Sequence, residues 1–274
     1  RGIEDEVVSV KEIFRLQGAA ELKAAEKMYL PETGTNTDVI VLAASKGKKL
    51  GKLTDDKPKC MVPLNGKPIL SSLIERFNEQ GLKNISVVTG YKPESVKELG
   101  VATFQNDEWE STGELGSLLA ASDKLKGQTI IAYGDVLVRP YVLANLLDSK
   151  AAMTVVVDSS KKNFGSRKAL DLVVANKAHE PSHYDSTYTL KRVDPSVPTE
   201  EAHGEWTGLV KLSETGVKVL KDAIEALKAE APDYLKMTIP EVLNFIVTTG
   251  RAEVSVHYTH GDWLDLDDLE DLVA

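Results

Sequence analysis

The stretch DVIVLAASKGKKLGKLTDDKPKCMVPLNGKPIL, residues 38–70, changes abruptly from apolar to cationic. Six apolar residues, 39–44, predict a buried strand of a parallel sheet. The next eight residues, 45–52, contain four lysines and two glycines. Lysines and free backbone N–H groups at the carboxyl edge of such a sheet are suited to phosphate groups. The stretch matches neither the Walker A pattern nor GxGxxG, so on its own it fits an ordinary solvated loop equally well.

The composition of the 274-residue chain limits the classes of function. A net charge of −9 argues against general affinity for nucleic acid or anionic lipid, because both need a basic surface on the protein. A single cysteine, Cys60, allows neither an intramolecular disulfide nor a cysteine metal cluster, and it favours a reducing compartment. The sequence shows no apolar run as long as a membrane span. We therefore expect a cytoplasmic protein without nucleic-acid or membrane partners.

Strand-like and helix-like segments alternate along most of the chain. Apolar runs predict strands at 39–44, 85–89, 129–133, 153–157 and 254–256. Helical spacing predicts helices at 68–80, 93–99, 112–124, 140–147, 213–230 and 239–247. Strands separated by helices of this length predict an α/β fold, with a mostly parallel, Rossmann-like sheet flanked by helices.

Two segments depart from this alternation. Residues 9–30 have apolar side chains at helical spacing, and residues 31–37 form a polar linker with Pro and Gly. We interpret 1–37 as an N-terminal helix and linker before a domain at 38–274. The pattern weakens at 161–205, where two β-ribbons joined by polar loops predict a small β-rich insertion or lid on the substrate side.

The order of motifs in LAASKGKKL and KPKCMVPLNGKPIL resembles the signature of nucleotidyltransferases with a GT-A-like fold, which join a nucleotide to a phosphorylated small molecule. Ten residues fall into register with that signature: Leu42, Ala43, Ala44, Gly47, Leu50, Pro58, Lys59, Pro63, Lys67 and Pro68. Two residues depart from it. Ser45 stands where the family usually has its first Gly, and Lys49 stands where it usually has Arg. Lys49 offers phosphate a point charge in place of a bidentate fork.

The resemblance extends over nearly all of 38–274. SVVTGY, residues 86–91, stands where the family's second strand supplies a wall of the base pocket. YGDVL resembles the family motif whose strand-end Asp holds Mg²⁺, which implies this role for Asp135. GDWLDLDDLEDL resembles the closing motif, in which Asp265 and Asp267 complete a Mg²⁺ site. We take the nucleotide-binding residues to be Leu42, Ala43, Ala44, Ser45, Lys46, Gly47, Lys48, Lys59, Thr89, Gly90, Asn106, Glu114 and Gly134.

Three further segments indicate which subgroup of these nucleotidyltransferases the chain resembles. AASKGKKL, ESTGELGSLLAASD and YGDVLVRPYVL resemble cytidylyltransferases fused to phosphoenolpyruvate mutase in phosphonate biosynthesis, and 12–31 resembles the last helix of such a mutase. The resemblance implies transfer of CMP from CTP to 2-aminoethylphosphonate or 2-hydroxyethylphosphonate, with release of pyrophosphate. It also implies Mg²⁺ as cofactor and a fused or associated mutase. A homo-oligomer remains an open possibility.

The residue types suit this chemistry. An ionised phosphonate must approach the α-phosphate of CTP, so the protein has to neutralise and align two anions. We expect Lys46 and Lys48 to hold the β- and γ-phosphates, and Lys59 to stabilise the α-phosphate and the attacking oxygen. Lys59 and Lys46 are thus the predicted catalytic residues. Asp265 and Asp267 would share one face of a strand, as a common metal ion requires, and Asp267 could also cap a helix without losing this role.

The acceptor-binding residues are the least determined. The phosphonate is assigned to Ser166, Arg167 and Lys168, with Tyr91 also in the acceptor site. An ammonium group on the acceptor needs an acid or an aromatic ring. The candidates for this role are Glu205 or Asp194 and Trp206 or Tyr188.

Two alternative functions remain open from the sequence. The first is a phosphocholine or sugar-1-phosphate nucleotidyltransferase, although an aromatic content of 6% offers few rings for a quaternary ammonium cage. The second is a nucleotide-binding regulatory module without catalysis. The presence of Lys59 and of the three aspartates counts against this second alternative.

Overall fold

The structure is a computed structural model that describes residues 36–161, 170–180 and 187–267. These residues belong to one unit, Thr33–Ala274. The predicted N-terminal helix at 9–30 and the predicted phosphonate ligands Ser166, Arg167 and Lys168 lie outside the described residues.

The described strands form one large sheet and two small antiparallel pairs. In chain order they are β1 Thr37–Ala43, β2 Pro63–Leu64, β3 Lys67–Pro68, β4 Asn84–Thr89, β5 Ala102–Gln105, β6 Gln128–Tyr133, β7 Val136–Val138, β8 Met153–Asp158, β9 Leu172–Ala175, β10 Leu190–Val193, β11 Gly204–Leu212, β12 Ser255–Thr259 and β13 Trp263–Asp265. Within the described residues, the large sheet has nine strands in the order β10-β9-β11-β6-β1-β4-β5, with β8 attached to β11 and β12 attached to β8.

One half of the large sheet is parallel and the other is mixed. Strands β6, β1, β4 and β5 run parallel as neighbours, so their carboxyl ends meet at one edge. Strand β11 pairs antiparallel with β6, β8 and β9, while β12 runs parallel to β8. The mostly parallel sheet predicted from the sequence is confirmed.

Helices cover both faces of the sheet. They are α1 Ile69–Glu79, α2 Glu94–Lys97, α3 Glu114–Ala120, α4 Pro140–Asp148, α5 Glu214–Glu230 and α6 Ile239–Thr248. Alternate residues of β1 enter two separate cores: Val39 and Val41 join the residues of α1 and α4, while Ile40 and Leu42 join those of α3, α5 and α6. This double burial explains why β1 is a continuous apolar run. In the described part of the chain, no helix has the length and apolar character needed to cross a membrane.

The sequence pattern missed β2, β3, β5, β7 and β11, and it made the helix at 112–124 too long. The strand expected at Asp265 and Asp267 is β13, which ends at Asp265, so Asp267 lies beyond it. Strand β11 is buried at all nine positions, but its sequence GEWTGLVKL contains two charged residues. Lys211 is accommodated because its ammonium donates hydrogen bonds to the carbonyls of Leu147 and Ser149 at the end of α4. In place of the predicted helix 112–124, the structure has the shorter α3 and then a separate 3₁₀ turn at Ser122–Lys124. Helix α3 begins later than predicted because Gly113 is extended and its N–H donates to the carbonyl of Leu235.

The predicted insertion at 161–205 contains β9 and β10 in its described part. These two strands pair antiparallel, and β9 also pairs with the start of β11. The segment has a small apolar cluster of its own, formed by Leu170, Leu172, Val197 and Ala202. Its role as a lid stays a prediction.

Candidate active site

A cavity of about 610 Å³ lies at the carboxyl edge of the parallel strands. It is lined by the loop after β1, the segment between β5 and α3, the end of β6, the residues around β13, and the start of β9 and β11. We call it the central cavity. Its position is the one at which open α/β sheets bind ligands.

The loop after β1 presents cations to the central cavity through Lys46, Lys48 and Lys49. Gly47 shapes this loop, because its φ of +73° disfavours any other residue and a Cβ there would lie 2.7 Å from the Cβ of Lys59. Ser45, the departure from the family signature, accepts a hydrogen bond from the Gly47 N–H at 3.1 Å. The hydroxyl of Thr54 donates to the Gly47 carbonyl at 3.2 Å, so the loop is closed on itself.

Three carboxylates meet in the middle of the central cavity. Asp135 follows β6, whereas Asp265 ends β13 and Asp267 lies two residues later; one oxygen from each lies within 4.8 Å of the others. The antiparallel pairing of β13 with β7, with Asp265 opposite Val136, brings the two chain segments together. We call these three residues the aspartate cluster.

Lys59 occupies the middle of the aspartate cluster. Its Nζ lies 2.6 Å from Asp267 and 3.9 Å from Asp265, and it also forms an ion pair with Asp135. Burial alone lowers the pKa of Lys59, but the three carboxylates outweigh burial and raise it well above its ordinary value. The three carboxylates therefore favour the charged ammonium form of Lys59.

The aspartate cluster fits a divalent metal ion. Burial and the charge of Asp135 raise the pKa of Asp265 well above its ordinary value, against the opposing effect of Lys59. For Asp267, burial is outweighed by Lys59 and Lys49, which lower its pKa. Three carboxylates this close together repel one another unless positive charge lies between them. The ammonium of Lys59 supplies part of that positive charge. Three carboxylate oxygens are hard ligands of the type that Mg²⁺ prefers.

The far end of the central cavity combines acids with aromatic rings. We call Glu114, Tyr133, Asp171, Glu205 and Trp206 the acid–aromatic end; all five line the cavity. The rings of Tyr133 and Trp206 meet edge to face with centroids 5.2 Å apart. Burial, together with the nearby charges of Glu114 and Glu205, raises the pKa of Asp171 to about 7. This end of the cavity is therefore an acidic environment that a cationic group would stabilise.

Most of the predicted site residues come together in the central cavity. Those that line it are Leu42, Ala44, Ser45, Lys46, Gly47, Lys48, Lys59, Glu114, Asp135, Glu205, Trp206, Asp265 and Asp267. Those that do not line it are Ala43, Thr89, Gly90, Tyr91, Asn106 and Gly134.

Asn106, predicted to bind nucleotide, instead supports residues of the cavity wall. It is buried, and its amide donates to Thr112 Oγ1 at 2.9 Å and to Ser117 Oγ at 3.1 Å, both of which belong to lining residues. Gly134 and Gly90 have packing roles. A Cβ on Gly134 would lie 2.8 Å from the Cβ of Ala43 in the neighbouring strand β1.

Glu114 and Tyr91 have partners that the sequence pattern did not indicate. The carboxylate of Glu114 accepts hydrogen bonds from the Tyr133 hydroxyl and, at 2.8 Å, from the N–H of Ile239 at the start of α6. Tyr91, predicted in the acceptor site, lies beside the phosphate loop, with its ring centroid 5.2 Å from the Nζ of Lys46. Its hydroxyl donates to the carbonyl of Asp55.

The two other candidates for an ammonium site are engaged elsewhere. The carboxylate of Asp194 accepts a hydrogen bond from the N–H of Ser196 at 2.7 Å and pairs with Arg192. Tyr188 packs edge-on against Tyr258 with centroids 4.9 Å apart. Neither Asp194 nor Tyr188 lines the central cavity.

Sequence reasoning gave no site role to several residues of the cavity wall. The most informative are Trp109, on the β5 side, and Asp171, just before β9. Asp171 lies in LDLVVA, where a single acid between apolar residues at a strand start was the available signal. For Trp109, in NDEWEST, the signal was an aromatic residue in an otherwise polar loop.

Comparisons with known proteins agree with this geometry. The sequence matches the MobA-like NTP transferase domain family over residues 39–228. It is 24% identical over 252 residues to CTP:phosphoglutamine cytidylyltransferase of Campylobacter jejuni, covering 86% of this chain and 97% of that protein. It is 32% identical over 108 residues to 2-aminoethylphosphonate cytidylyltransferase of Lancefieldella rimae, covering 37% of this chain and 44% of that one.

Other relatives are longer proteins or share the fold alone. The chain is 28% identical over 202 residues to bifunctional protein GlmU of Methanocaldococcus jannaschii. The match covers 70% of this chain and about half, 47%, of the length of that relative. CTP:phosphocholine cytidylyltransferase from Streptococcus pneumoniae superposes with a TM-score of 0.64 at 17% identity, covering 86% of this chain and 95% of that one. Because the family match covers more than half of the sequence and the cavity presents lysines and an aspartate cluster at the expected sheet edge, this chain belongs to the MobA-like NTP transferase domain family and is a nucleotidyltransferase.

Proposed function

We propose that this nucleotidyltransferase transfers CMP from CTP to a small phosphonate, with 2-aminoethylphosphonate as the acceptor. Pyrophosphate is the second product, and the reaction belongs to phosphonate biosynthesis. The observation that carries the choice of acceptor is the acid–aromatic end of the central cavity. The relative from Lancefieldella rimae supports the phosphonate, and two cytidylyltransferases among the relatives and similar structures support cytidine as the nucleoside.

We divide the lining of the central cavity into two arms, according to the strands beside which its residues lie. One arm contains the lysines of the loop and residues between β5 and α3, beside the carboxyl ends of β1 and β4. The other arm is the acid–aromatic end, beside β6, β9 and β11. A triphosphate fits the cationic arm, whereas an acceptor with a positive group fits the acidic arm. The two anions to be joined then meet at Lys59 and Asp135.

The reaction forms one bond and breaks one bond at the α-phosphorus of CTP. A phosphonate oxygen attacks that phosphorus, and the bond to the oxygen that bridges the α- and β-phosphates breaks, so that pyrophosphate leaves with the electron pair. The phosphonate is already an anion, so this step requires no proton transfer. Lys46, Lys48 and Lys49 hold the leaving pyrophosphate, and Lys59 neutralises charge between the two reacting groups.

Mg²⁺ is the proposed cofactor, and Asp135, Asp265 and Asp267 would hold it. When bound, it supplies neutralisation of phosphate charge and Lewis-acid polarisation of phosphate oxygens. The chain's own contribution at this point is to hold three carboxylates close together with an ammonium among them. The same arrangement argues against a regulatory module without catalysis, because such a module needs neither this aspartate cluster nor Lys59.

The acceptor's ammonium group is recognised by charge. Asp171, Glu205 and Glu114 bring three carboxyl groups to one arm of the cavity, and the ring faces of Tyr133 and Trp206 add a weaker attraction for a cation. The hydroxyl of 2-hydroxyethylphosphonate gains nothing from this charge. A sugar phosphate places neutral hydroxyls there. Phosphocholine is the second candidate, since it also carries a cation, but its quaternary ammonium cannot donate hydrogen bonds to the carboxylates.

A two-way substrate matrix tests this proposal. Pyrophosphate release is measured with each of the four nucleoside triphosphates against 2-aminoethylphosphonate, 2-hydroxyethylphosphonate, phosphocholine and glucose-1-phosphate, with Mg²⁺ present. We expect the highest kcat/KM for CTP with 2-aminoethylphosphonate. The variant Asp171→Asn should lose most of the preference for the amino over the hydroxyl phosphonate, whereas Asp194→Asn, outside the cavity, should keep it. Release with UTP and glucose-1-phosphate alone would overturn the assignment.

The remaining elements of the proposal concern context. A fused or associated phosphoenolpyruvate mutase would supply the precursor of the phosphonate, in line with the resemblance of residues 12–31 to a mutase helix. We propose a cytoplasmic location on the basis of the single cysteine. Co-purification of the native protein with mutase activity checks the first of these elements.

A further inference from the structure

Trp109 is a cavity-lining aromatic residue that the reaction described above does not use. It lines the cationic arm of the central cavity together with Lys46 and Lys48. It belongs to the segment between β5 and α3, whereas the acid–aromatic end belongs to β6, β9 and β11. The cavity therefore has a large flat side chain in the arm opposite to the proposed acceptor site.

The position of Trp109 is fixed by close backbone contacts. A Cβ on Gly90, at the end of β4, would lie 2.5 Å from the Cβ of Trp109 and 2.8 Å from the carbonyl oxygen of Ala44. Only a residue without a side chain leaves room for this approach. The N–H of the next residue, Tyr91, donates to the same Ala44 carbonyl at 3.0 Å. Trp109 is thereby set against the ends of both β1 and β4.

Tyr91 joins Trp109 to the phosphate loop. Its ring meets the indole of Trp109 edge to face, with centroids 5.5 Å apart. The Nζ of Lys46 lies 5.2 Å from the same Tyr91 ring, and the Tyr91 hydroxyl donates to the carbonyl of Asp55 at 2.8 Å. Lys46 also pairs with the carboxylate of Asp55 at 3.7 Å. Trp109, Tyr91 and Lys46 thus form a continuous contact chain from the cavity wall to a phosphate-binding lysine.

We infer that Trp109 is the wall against which the base of the nucleoside triphosphate lies, and that Tyr91 positions Lys46 for the phosphates. A base is flat and uncharged, and it stacks on aromatic side chains whatever its identity. With the triphosphate at the loop and the α-phosphate at Lys59, the nucleoside must occupy one of the two arms. The acid–aromatic end, with three carboxyl groups, suits a cation, which leaves the arm with Trp109. This inference rests on the proposed function, but its test measures nucleotide binding alone and uses no acceptor.

Calorimetric titration of the full chain with two ligands separates the two roles. The ligands are CTP and inorganic tripolyphosphate, which has the phosphates without the nucleoside, each titrated in the presence of Mg²⁺ and without any acceptor. Trp109→Ala should weaken CTP binding by about 10-fold to 100-fold, the range of a lost base stack, and leave tripolyphosphate binding unchanged. Trp109→Phe keeps a ring and should lose less CTP affinity than Trp109→Ala.

Tyr91→Leu should affect the binding of both ligands. It removes the ring beneath Lys46 and should weaken CTP and tripolyphosphate equally, by about 2-fold to 5-fold. Lys92→Met is the matched control, since its Nζ also lies near the Tyr91 ring, at 5.9 Å, but Lys92 does not line the cavity. Lys92→Met should bind both ligands as the wild type does.

Two outcomes would overturn the inference. If Trp109→Ala weakened tripolyphosphate as much as CTP, Trp109 would act on the phosphate loop and not on the base. If both Trp109 variants bound CTP with wild-type affinity, the base would lie elsewhere. A circular dichroism spectrum and melting temperature identify a misfolded Trp109→Ala variant, in which case Trp109→Phe decides. The titrations contain no acceptor, so failure with 2-aminoethylphosphonate leaves their result intact.

Discussion

Replacement of Lys59 by methionine tests the electrostatic centre of the site in two separate assays. Met has a similar length but no charge, so the variant keeps three neighbouring carboxylates and removes the ammonium among them. The Lys59 side chain is 12% exposed, and those of Asp135 and Asp267 are 17% and 26% exposed. Loss of one partner from a buried ion pair costs about 3–5 kcal/mol. Partial exposure of the aspartates reduces this cost to about 3 kcal/mol.

The loss of stability should be visible by calorimetry in the presence of EDTA. For a chain of this size, about 3 kcal/mol corresponds to a decrease of roughly 6–12 °C in melting temperature. Added Mg²⁺ should raise the melting temperature of Lys59→Met more than that of the wild type, because the cation no longer competes with the ammonium for the carboxylates. Turnover with CTP and acceptor should fall by about 10²-fold to 10³-fold in the same variant.

Lys48→Met is the matched control, because Lys48 lies in the same motif but is exposed. Its melting temperature should stay within about 2 °C of the wild type, since surface substitutions usually cost less than about 0.5 kcal/mol. A melting temperature for Lys59→Met equal to that of the wild type in EDTA would refute the role of its ammonium in the cluster. If added Mg²⁺ raised the melting temperature of Lys59→Met no more than that of the wild type, the ion and Lys59 would not share the site.

Three further predictions follow from individual contacts. Because the pKa of Asp171 is raised to about 7, this carboxyl gains negative charge as the pH rises through 7. The ratio of the wild-type kcat/KM for 2-aminoethylphosphonate to that of Asp171→Asn should therefore increase about tenfold from about pH 6 to about pH 8 and then level off. A ratio that does not change with pH would contradict the role of Asp171. Lys211→Met should lower the free energy of unfolding by about 2–4 kcal/mol in urea denaturation without changing either KM, because two buried carbonyls lose their donor; an altered KM would count against a purely structural role. Gly90→Ala should raise the KM of CTP but not that of the acceptor in initial-rate measurements, because its Cβ displaces Trp109, and equal effects on both would be inconsistent with this placement.

The part of the fold that the sequence predicts is the part in which local pattern and burial agree. Strand β1 is apolar from Val39 to Ala43 because these residues are buried on both faces of the sheet, so its pattern predicts a strand clearly. Strand β11 is also buried but includes two charged residues, Glu205 and Lys211, and Lys211 is accommodated by hydrogen bonds to two backbone carbonyls of a distant segment. It also contains Gly208, with a φ of +78°, at a break in its pairing with β8. Only the folded structure shows why such a sequence forms a strand.

The candidate site shows the same division. Lys59 and Asp135 each lie in a short sequence motif. The resemblance of these two motifs to those of the family implied the roles of both residues, although 76 positions separate them. The single acid among apolar residues was not enough to assign a role to Asp171, because its environment depends on Glu114 and Glu205, which come from distant parts of the chain. Tyr91 follows a strand as the motif requires, but its ring lies toward Lys46 and not toward the acid–aromatic end. Side-chain direction at a strand end is set by tertiary packing, which spacing alone does not encode.

The central claim is that one cavity brings the phosphate groups of CTP and of an aminophosphonate together at Lys59 and the aspartate cluster. Phosphorus NMR of a mixture of the protein, CTP, 2-aminoethylphosphonate and Mg²⁺ observes the new bond directly. The account predicts two mutually coupled signals, one from a phosphonate and one from a phosphate, growing in equal amounts with free pyrophosphate. Consumption of CTP to CMP or CDP with the phosphonate signal unchanged would contradict it.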